Sequence, residues 1–297
     1  MYIRSVVKEK APFFVIKTIK GILKFLRYFK PSPGPSKLQK FNIMVTQYCL
    51  GKVDKFILPE VRNFVFSDEI TYCTDGLMTN HSVDWMYEPR FAEAYKLAEE
   101  TGSFTTRAGI VNKVMWRIHT LCWVAHQAKQ LEGDFIECGV ARGAVSRAVV
   151  HYTDFKILSK NFYLLDTFSG FPEGSITQKE RDMGISGSEY EDCYHEACET
   201  FKDFSNVKLI RGPIPDTLSQ VPSKKIAFLH IDMNCAKPEI EAGEFFWNKL
   251  VKGAFIVLDD YGWYKFIHQR EAWDAFALRK NIKILTLPTG QGLIIKP

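Results

Sequence analysis

The sequence predicts an α/β fold: a parallel or mostly parallel sheet of about seven strands, covered on both faces by helices. Three observations carry that expectation. From Gly133 onward, short apolar runs alternate with stretches of helical length, as in strands joined by crossover helices. Those runs end in Gly, Asp or Asn, at the strand ends where open α/β sheets collect their ligands. With 297 residues, 46% of them hydrophobic, the chain is long and apolar enough to bury a full core, which excludes a disordered protein.

In order, strands are predicted at 134–140 (DFIECGV), 161–166 (NFYLLD), 207–212 (VKLIRG), 225–232 (KIAFLHID), 254–260 (AFIVLDD), 282–288 (IKILTLP) and 292–297 (GLIIKP). Helices are expected near 143–157, 189–203, 238–250 and 268–280. Residues 41–130 read as mainly helical, with clear segments at 88–101 and 110–131 and a polar, turn-rich stretch at 73–85. Three regions result: 1–40, a helical cap at 41–130, and the sheet domain at 131–297.

The formal charge of +5 belongs to one end of the chain. Residues 1–40 hold ten Lys or Arg against Glu9 alone, giving +9, while the other 257 residues hold 29 basic and 33 acidic side chains, giving −4. A body with no basic excess argues against nucleic acid as a partner. Within residues 11–30, Lys17, Lys20, Lys24, Arg27 and Lys30 recur at helical spacing beside Phe14, Ile19, Ile22, Leu26 and Phe29. That pattern predicts an interfacial helix giving peripheral membrane association; the plainer alternative docks it on the body or on a second subunit of a homo-oligomer. PSPGPS at 31–36 reads as a linker. Seven scattered cysteines without a C-x-x-C pair fit a reducing, cytoplasmic compartment rather than a disulfide framework. No run approaches about twenty uninterrupted apolar residues, so no membrane span is expected.

The strand ends carry the chemistry. The first closes in Glu137-Cys138-Gly139 with Gly143 following, a turn that admits close backbone approach; an acid there suits a cofactor bearing an ammonium group. The second ends in Asp166, 29 residues after Glu137, where a carboxylate accepts ribose hydroxyls or simply caps a helix. The fourth ends in Asp232-Met233-Asn234 and the fifth in Asp259-Asp260. Paired acids repel unless a cation or proton intervenes, so an oxygen-only Mg²⁺ site is one reading and solvated turn acids the other. Among the histidines, His230 reads as a core residue, and His81 and His268 are the candidate general bases. No G-x-S-x-G elbow or P-loop is present.

Taken together, GDFIECGVARG, LLDTFSGFP, RGPIPDTL, LHIDMN and FFWNKLVKGAFIVLDDYGW resemble the macrocin O-methyltransferase (TylF/MycF) family. The resemblance covers about residues 73–297, and LPTGQGLIIKP looks like members associated with bacterial surface-polysaccharide genes. It implies a Rossmann-like class I fold and an S-adenosylmethionine-dependent enzyme that methylates a sugar hydroxyl with Mg²⁺ assistance. The acceptor would be a surface glycan, lipid-linked or not, or a small glycosylated metabolite. Carried over by residue, Glu137, Cys138, Gly139, Arg142 and Gly143 would hold the methionine part of the cofactor. Asp166 would hold the ribose, with Thr167, Phe168 and Gly212 beside the adenosine, and Asp232 would also face the cofactor. Asp259 and Asp260 would bind Mg²⁺. At the third ligand position the family's macrolide-type members have Asp where this chain has Asn234, so Asp232 is an alternative ligand. The catalytic roles fall to Asp232 and His268.

Two rival readings come from the same residues. A metal-dependent glycosyltransferase would take Asp232-Met233-Asn234 as a D-x-D-like element but leaves Glu137 and Asp166 unused. A non-catalytic scaffold would keep the fold and use the basic N-terminus for a membrane. For the N-terminal segment, a chain starting at Phe41 is expected to keep cofactor binding yet lose sedimentation with anionic liposomes, because each Lys or Arg near such a surface adds about 1 kcal/mol of attraction. Full-length protein that ignores anionic liposomes at low salt would identify residues 11–30 as a packing helix instead.

Overall fold

The computed structural model describes residues 71–104, 113–187 and 190–297. The interfacial helix expected at 11–30, its linker and residues 41–70 lie outside the described residues. Tyr72–Pro297 is one compact unit, so residues 72–130 pack in the same body as the sheet.

That unit opens with a hairpin, β1 (Tyr72–Thr74) and β2 (Leu77–Thr79), paired antiparallel. Its turn is Asp75-Gly76 with φ of +52° and +70°, the conformation that Asp-Gly favours in two-residue hairpins. The hairpin lies within the stretch that was expected to be only turn-rich. Helices α1 (Pro89–Glu99) and α2 (Met115–Ala128) follow, the first capped by the Glu88 carboxylate on the Arg90 and Phe91 amides.

The sheet strands are β3 (Asp134–Cys138), β4 (Phe162–Asp166), β5 (Val207–Arg211), β6 (Ile226–Ile231), β7 (Leu250–Leu258), β8 (Leu285–Thr286) and β9 (Gly292–Ile295). Between them run α3 (Ala144–Thr153), α4 (Gln178–Asp182), α5 (Tyr194–Phe201), α6 (Ala236–Trp247) and α7 (Ile267–Lys280). The spatial order is β5-β4-β3-β6-β7-β9-β8, with β3 to β7 parallel and β9 antiparallel to both β7 and β8. This is the mostly parallel, Rossmann-like sheet that was expected. The strand predicted at 282–288 is only two residues long: Ile282 and Ile284 pack on the core, and the chain turns at Gly290, whose amide donates to the Leu287 carbonyl.

Both faces of the sheet are buried, and every residue of β6 is buried, as its uninterrupted apolar run requires. On one face Ile136, Leu229 and Ile256 meet Phe246, Trp273 and Phe276 of α6 and α7. On the other, Phe135, Phe162 and Phe228 meet α2 and α3. The direction of strand order reverses between β3 and β6, which opens a crevice beyond their C-terminal ends. Among the described residues no helix is long and apolar enough to cross a membrane.

Trp273 is the largest fully buried side chain among the described residues and donates its indole N–H to Glu239 Oε2 at 2.8 Å. Trp273→Ala is expected to lower unfolding free energy by about 3–5 kcal/mol, read by denaturant titration, because it leaves both a cavity and an unpartnered carboxylate oxygen.

Candidate functional site

A cavity of about 320 Å³ opens at the switch between β3 and β6. The β3 turn forms its floor. Gly139 stands at φ +91°, and a Cβ there would lie 1.9 Å from the Asp232 carbonyl oxygen, so only glycine lets the two strand ends approach. Glu137 is buried; its Oε1 meets Nδ1 of His230 at 3.0 Å, while Oε2 has no partner and the residue lines the cavity. An unpartnered buried carboxylate oxygen is costly unless a donor arrives, and an ammonium group is such a donor.

Asp166 has a structural role in addition to the ribose contact expected of it. Its Oδ2 accepts the backbone N–H of Val140 (2.5 Å) and Ala141 (2.8 Å), and its Oδ1 accepts that of Phe168 (2.7 Å). Ala141 and Phe168 both have positive φ, +50° and +56°, so this carboxylate holds two strained backbone positions beside the cavity. Thr167 Oγ1 also lies 3.3 Å from Oδ1, but its single proton has a closer acceptor in the Gly170 carbonyl at 2.5 Å, so of about four lone-pair directions on the carboxylate three are held by backbone N–H groups and one is left for a ribose hydroxyl.

Thr167, Phe168 and Gly212 line the same cavity. Three other expected contacts are absent from its lining. Cys138 points into the core beneath the sheet, Arg142 is not among the lining residues, and Gly143 sits behind the turn at φ +85° with Phe201 against it. His268 is not among the lining residues either: it lies in the first turn of α7, where its Nδ1 is 3.1 Å from Glu271 Oε2. Asp232 does line the cavity, and burial, with Asp259 and Asp260 nearby, holds its carboxyl well above the usual carboxylate range.

The expected Mg²⁺ set, Asn234, Asp259 and Asp260, meets a cation that sequence reading missed. Arg117, from α2, directs Nη1 to Asp259 Oδ2 at 2.5 Å and lies 3.7 Å from Asp260 Oδ1. Its Nε and Nη2 grip Asp75 at the hairpin tip, at 2.8 and 2.9 Å. The second oxygen of Asp259 accepts from Gln291 Nε2 at 2.9 Å, and Asn234 turns its Nδ2 to Asp232 Oδ1 at 3.2 Å. Both oxygens of Asp259 are therefore committed to N–H donors. A dication seated there would face the guanidinium at a cost of about 4 kcal/mol per pair of unit charges at about 4 Å and an effective dielectric of about 20. The described residues hold no group of three His, Cys, Asp or Glu arranged for a metal ion. As they stand, these residues do not fit Mg²⁺.

His230 links the two halves of the site. Its Nε2 lies 3.7 Å from Asp259 Oδ1, opposite the Glu137 contact. Burial disfavours the imidazolium, but the Asp259 and Glu137 carboxylates on either side outweigh it and raise His230 to about 10. Burial would likewise raise Asp259, yet Arg117 and His230 hold it well below the usual range, while burial and Asp259 push Asp260 up to about 8.

A family model described as macrocin-O-methyltransferase (TylF) matches residues 105–286. The chain belongs to the macrocin O-methyltransferase family. Family membership favours a methyltransferase over the glycosyltransferase reading of Asp232-Met233-Asn234. A relative from Streptomyces olivaceus, 8-demethyl-8-(2,3-dimethoxy-alpha-L-rhamnosyl)-tetracenomycin-C 4'-O-methyltransferase, is 26% identical over 146 residues, 45% of this chain; the match spans 55% of that relative's length. Among solved structures, the O-methyltransferase NovP aligns with a TM-score of 0.58 at 16% identity, over 69% of this chain and 97% of its own. The calicheamicin methyltransferase CalS11 aligns with a TM-score of 0.50 at 16% identity, over 77% and 99%. These two show that the macrocin-family chain shares the O-methyltransferase fold.

The raised pKa of His230 gives a signed pH effect. Its contribution to stability is fully present below about pH 6.5 and is lost as pH rises through about 10, because the unfolded histidine gives up its proton first, at up to about 1.4 kcal/mol per pH unit. Denaturant titrations at about pH 6.5 and 8.5 are expected to show a shallower fall in stability for His230→Gln than for the wild type. Parallel falls would mean that folded His230 is neutral.

Proposed function

We propose that the chain is an S-adenosylmethionine-dependent O-methyltransferase acting on a sugar hydroxyl of a glycosylated metabolite or surface glycan. The observation that carries this reading is the unpartnered Oε2 of Glu137 beside a glycine turn, at the strand-order switch of an O-methyltransferase fold. Support for a sugar acceptor comes from the family match and from the relative named for 4'-O-methylation of a rhamnosyl compound.

Glu137 would accept the ammonium group of the cofactor's methionine part, and the remaining acceptor direction on Asp166 one ribose hydroxyl. Thr167, Phe168 and Gly212 would flank the adenosine. When bound, S-adenosylmethionine supplies a methyl group on a positively charged sulfur. Asp232 lies on the cavity wall, and burial with Asp259 and Asp260 nearby makes its carboxylate more basic than usual, which suits it to take the proton that an acceptor hydroxyl loses on methylation. Expected Mg²⁺ assistance has no place in this sequence of steps, since Arg117 already occupies the acid cluster. A lipid-linked acceptor, and a location at the inner membrane face, rest on the basic segment 11–30 alone.

Isothermal titration with S-adenosylmethionine tests the cofactor assignment. Glu137→Gln is expected to weaken binding about tenfold to a hundredfold, the size of losing one charge-assisted hydrogen bond. Transfer of labelled methyl from the cofactor to a panel of rhamnosides tests the acceptor class. No binding by the wild type would overturn the proposal; binding without transfer to any sugar would overturn its acceptor.

A further inference from the structure

We propose that Arg117 is the resident cation of the acid cluster, and that this enzyme holds its acceptor without a divalent metal ion. The geometry is that of a built site. The guanidinium side chain is mostly buried and is gripped by Asp75 through a two-point fork, a geometry a lysine ammonium cannot reproduce. Asp259 takes a third N–H, and the Trp263 ring lies 5.7 Å from the guanidinium carbon.

Trp263 is itself locked in place. A Cβ at Gly76 or Gly290 would come within 2.6 or 2.3 Å of its ring, so two glycines at positive φ leave the space it fills. Three pieces of chain thus converge on Arg117: the hairpin tip, the end of β7, and the turn before β9.

Arg117 has five N–H donors, of which three are spent on Asp75 and Asp259. One of the other two faces Asp260 at 3.7 Å, and the residue lines the cavity beside Asp232. The remaining N–H is free to donate to an oxygen of the acceptor. That is an orienting role for a positive charge, with no metal–oxygen bond. Asn234, an amide that faces Asp232 with its N–H₂, adds no negative charge for a dication to satisfy.

The assignment rests on the methyltransferase reading only for the identity of the acceptor; the cation balance is tested separately. Binding of Mn²⁺ to the full chain, followed by loss of the free-ion electron paramagnetic resonance signal, is the direct measurement. The wild type is expected to bind Mn²⁺ more weakly than about 1 mM, the weak end of oxygen-ligand sites. Arg117→Met, which leaves Asp75, Asp259 and Asp260 unbalanced, is expected to gain Mn²⁺ affinity at least about tenfold, and Mn²⁺ should raise that variant's melting temperature. Wild-type Mn²⁺ binding at micromolar concentrations overturns the proposal even if the variant does not fold. A folded variant with no gain in Mn²⁺ affinity also overturns it. Titration of the same wild-type protein with S-adenosylmethionine reports the enzyme reading independently.

Discussion

A line of buried charge across three neighbouring strand ends, Glu137–His230–Asp259, is the constraint on which the site depends. Glu137 and His230 are directly opposite in the β3–β6 register, and β7 lies on the other side of β6, with Asp259 one residue past its end. Buried carboxylates at that spacing are unstable without a cation or proton between them, and His230, whose pKa the two carboxylates raise, is placed to supply it. The side chain assigned to a cofactor ammonium and the one at the acceptor end are therefore not independent. Both flank His230, so displacing one carboxylate changes the electrostatic surroundings of the other.

The turn after β6 is fixed by two further buried acids. Glu239 accepts from the Met233 amide (3.3 Å), Trp273 Nε1 (2.8 Å) and Gln269 Nε2, tying the Asp232–Asn234 turn to α7. Glu180 closes a capping box on its own short helix and, through Oε1, accepts the Ala236 amide at the start of α6 (2.8 Å). A five-residue helix has no stability of its own, so α4 owes its position to that shared carboxylate. Through Glu180 the connection after β4, which bounds the cavity at Phe171, Pro172 and Ser175, is fastened to the β6 turn on its far side.

Much of this was legible in sequence, because buried parallel strands leave continuous apolar runs and their ends are marked by Gly and Asp. Six of the seven sheet strands, β3 to β7 and β9, and the acids at the ends of β4, β6 and β7 fall where the pattern puts them. The hairpin was missed although Asp75-Gly76 is the strongest two-residue turn signal in the region, and the T-x-x-E box at Thr177–Glu180 was an equally local clue to α4. Arg117 carried no such clue. It lies on a helix outside the sheet, 142 positions from Asp259, and a basic residue in a helical run reads as surface. His230 was rightly placed in the core, but its charge follows from a register that only the fold supplies. Asp166 was legible for its position, but its bracing of Ala141 and Phe168 was not, because that depends on backbone angles that residue type does not reveal.

The two cations of the site differ in what they make possible. His230 is enclosed, hydrogen-bonded to Glu137 and 3.7 Å from Asp259 within its own sheet, and with Arg117 it holds the pKa of Asp259 low. Arg117 reaches in from outside the sheet and brings the hairpin with it, so the acceptor side of the cavity is assembled by one long side chain. A covalently attached cation cannot exchange with solvent, and its donors are aimed before any ligand arrives. Such preorganisation is what stabilises charge developing on an oxygen in a water-poor site, where rearranging a solvent shell would cost energy at the moment of reaction. The same attachment limits the site: a guanidinium offers directional N–H bonds in one plane, whereas a metal ion can accept two adjacent oxygens at once. An acceptor held by Arg117 is therefore positioned through one hydroxyl oxygen and the shape of the cavity around it, and regioselectivity falls to the walls formed by Phe171, Tyr190 and Ile214.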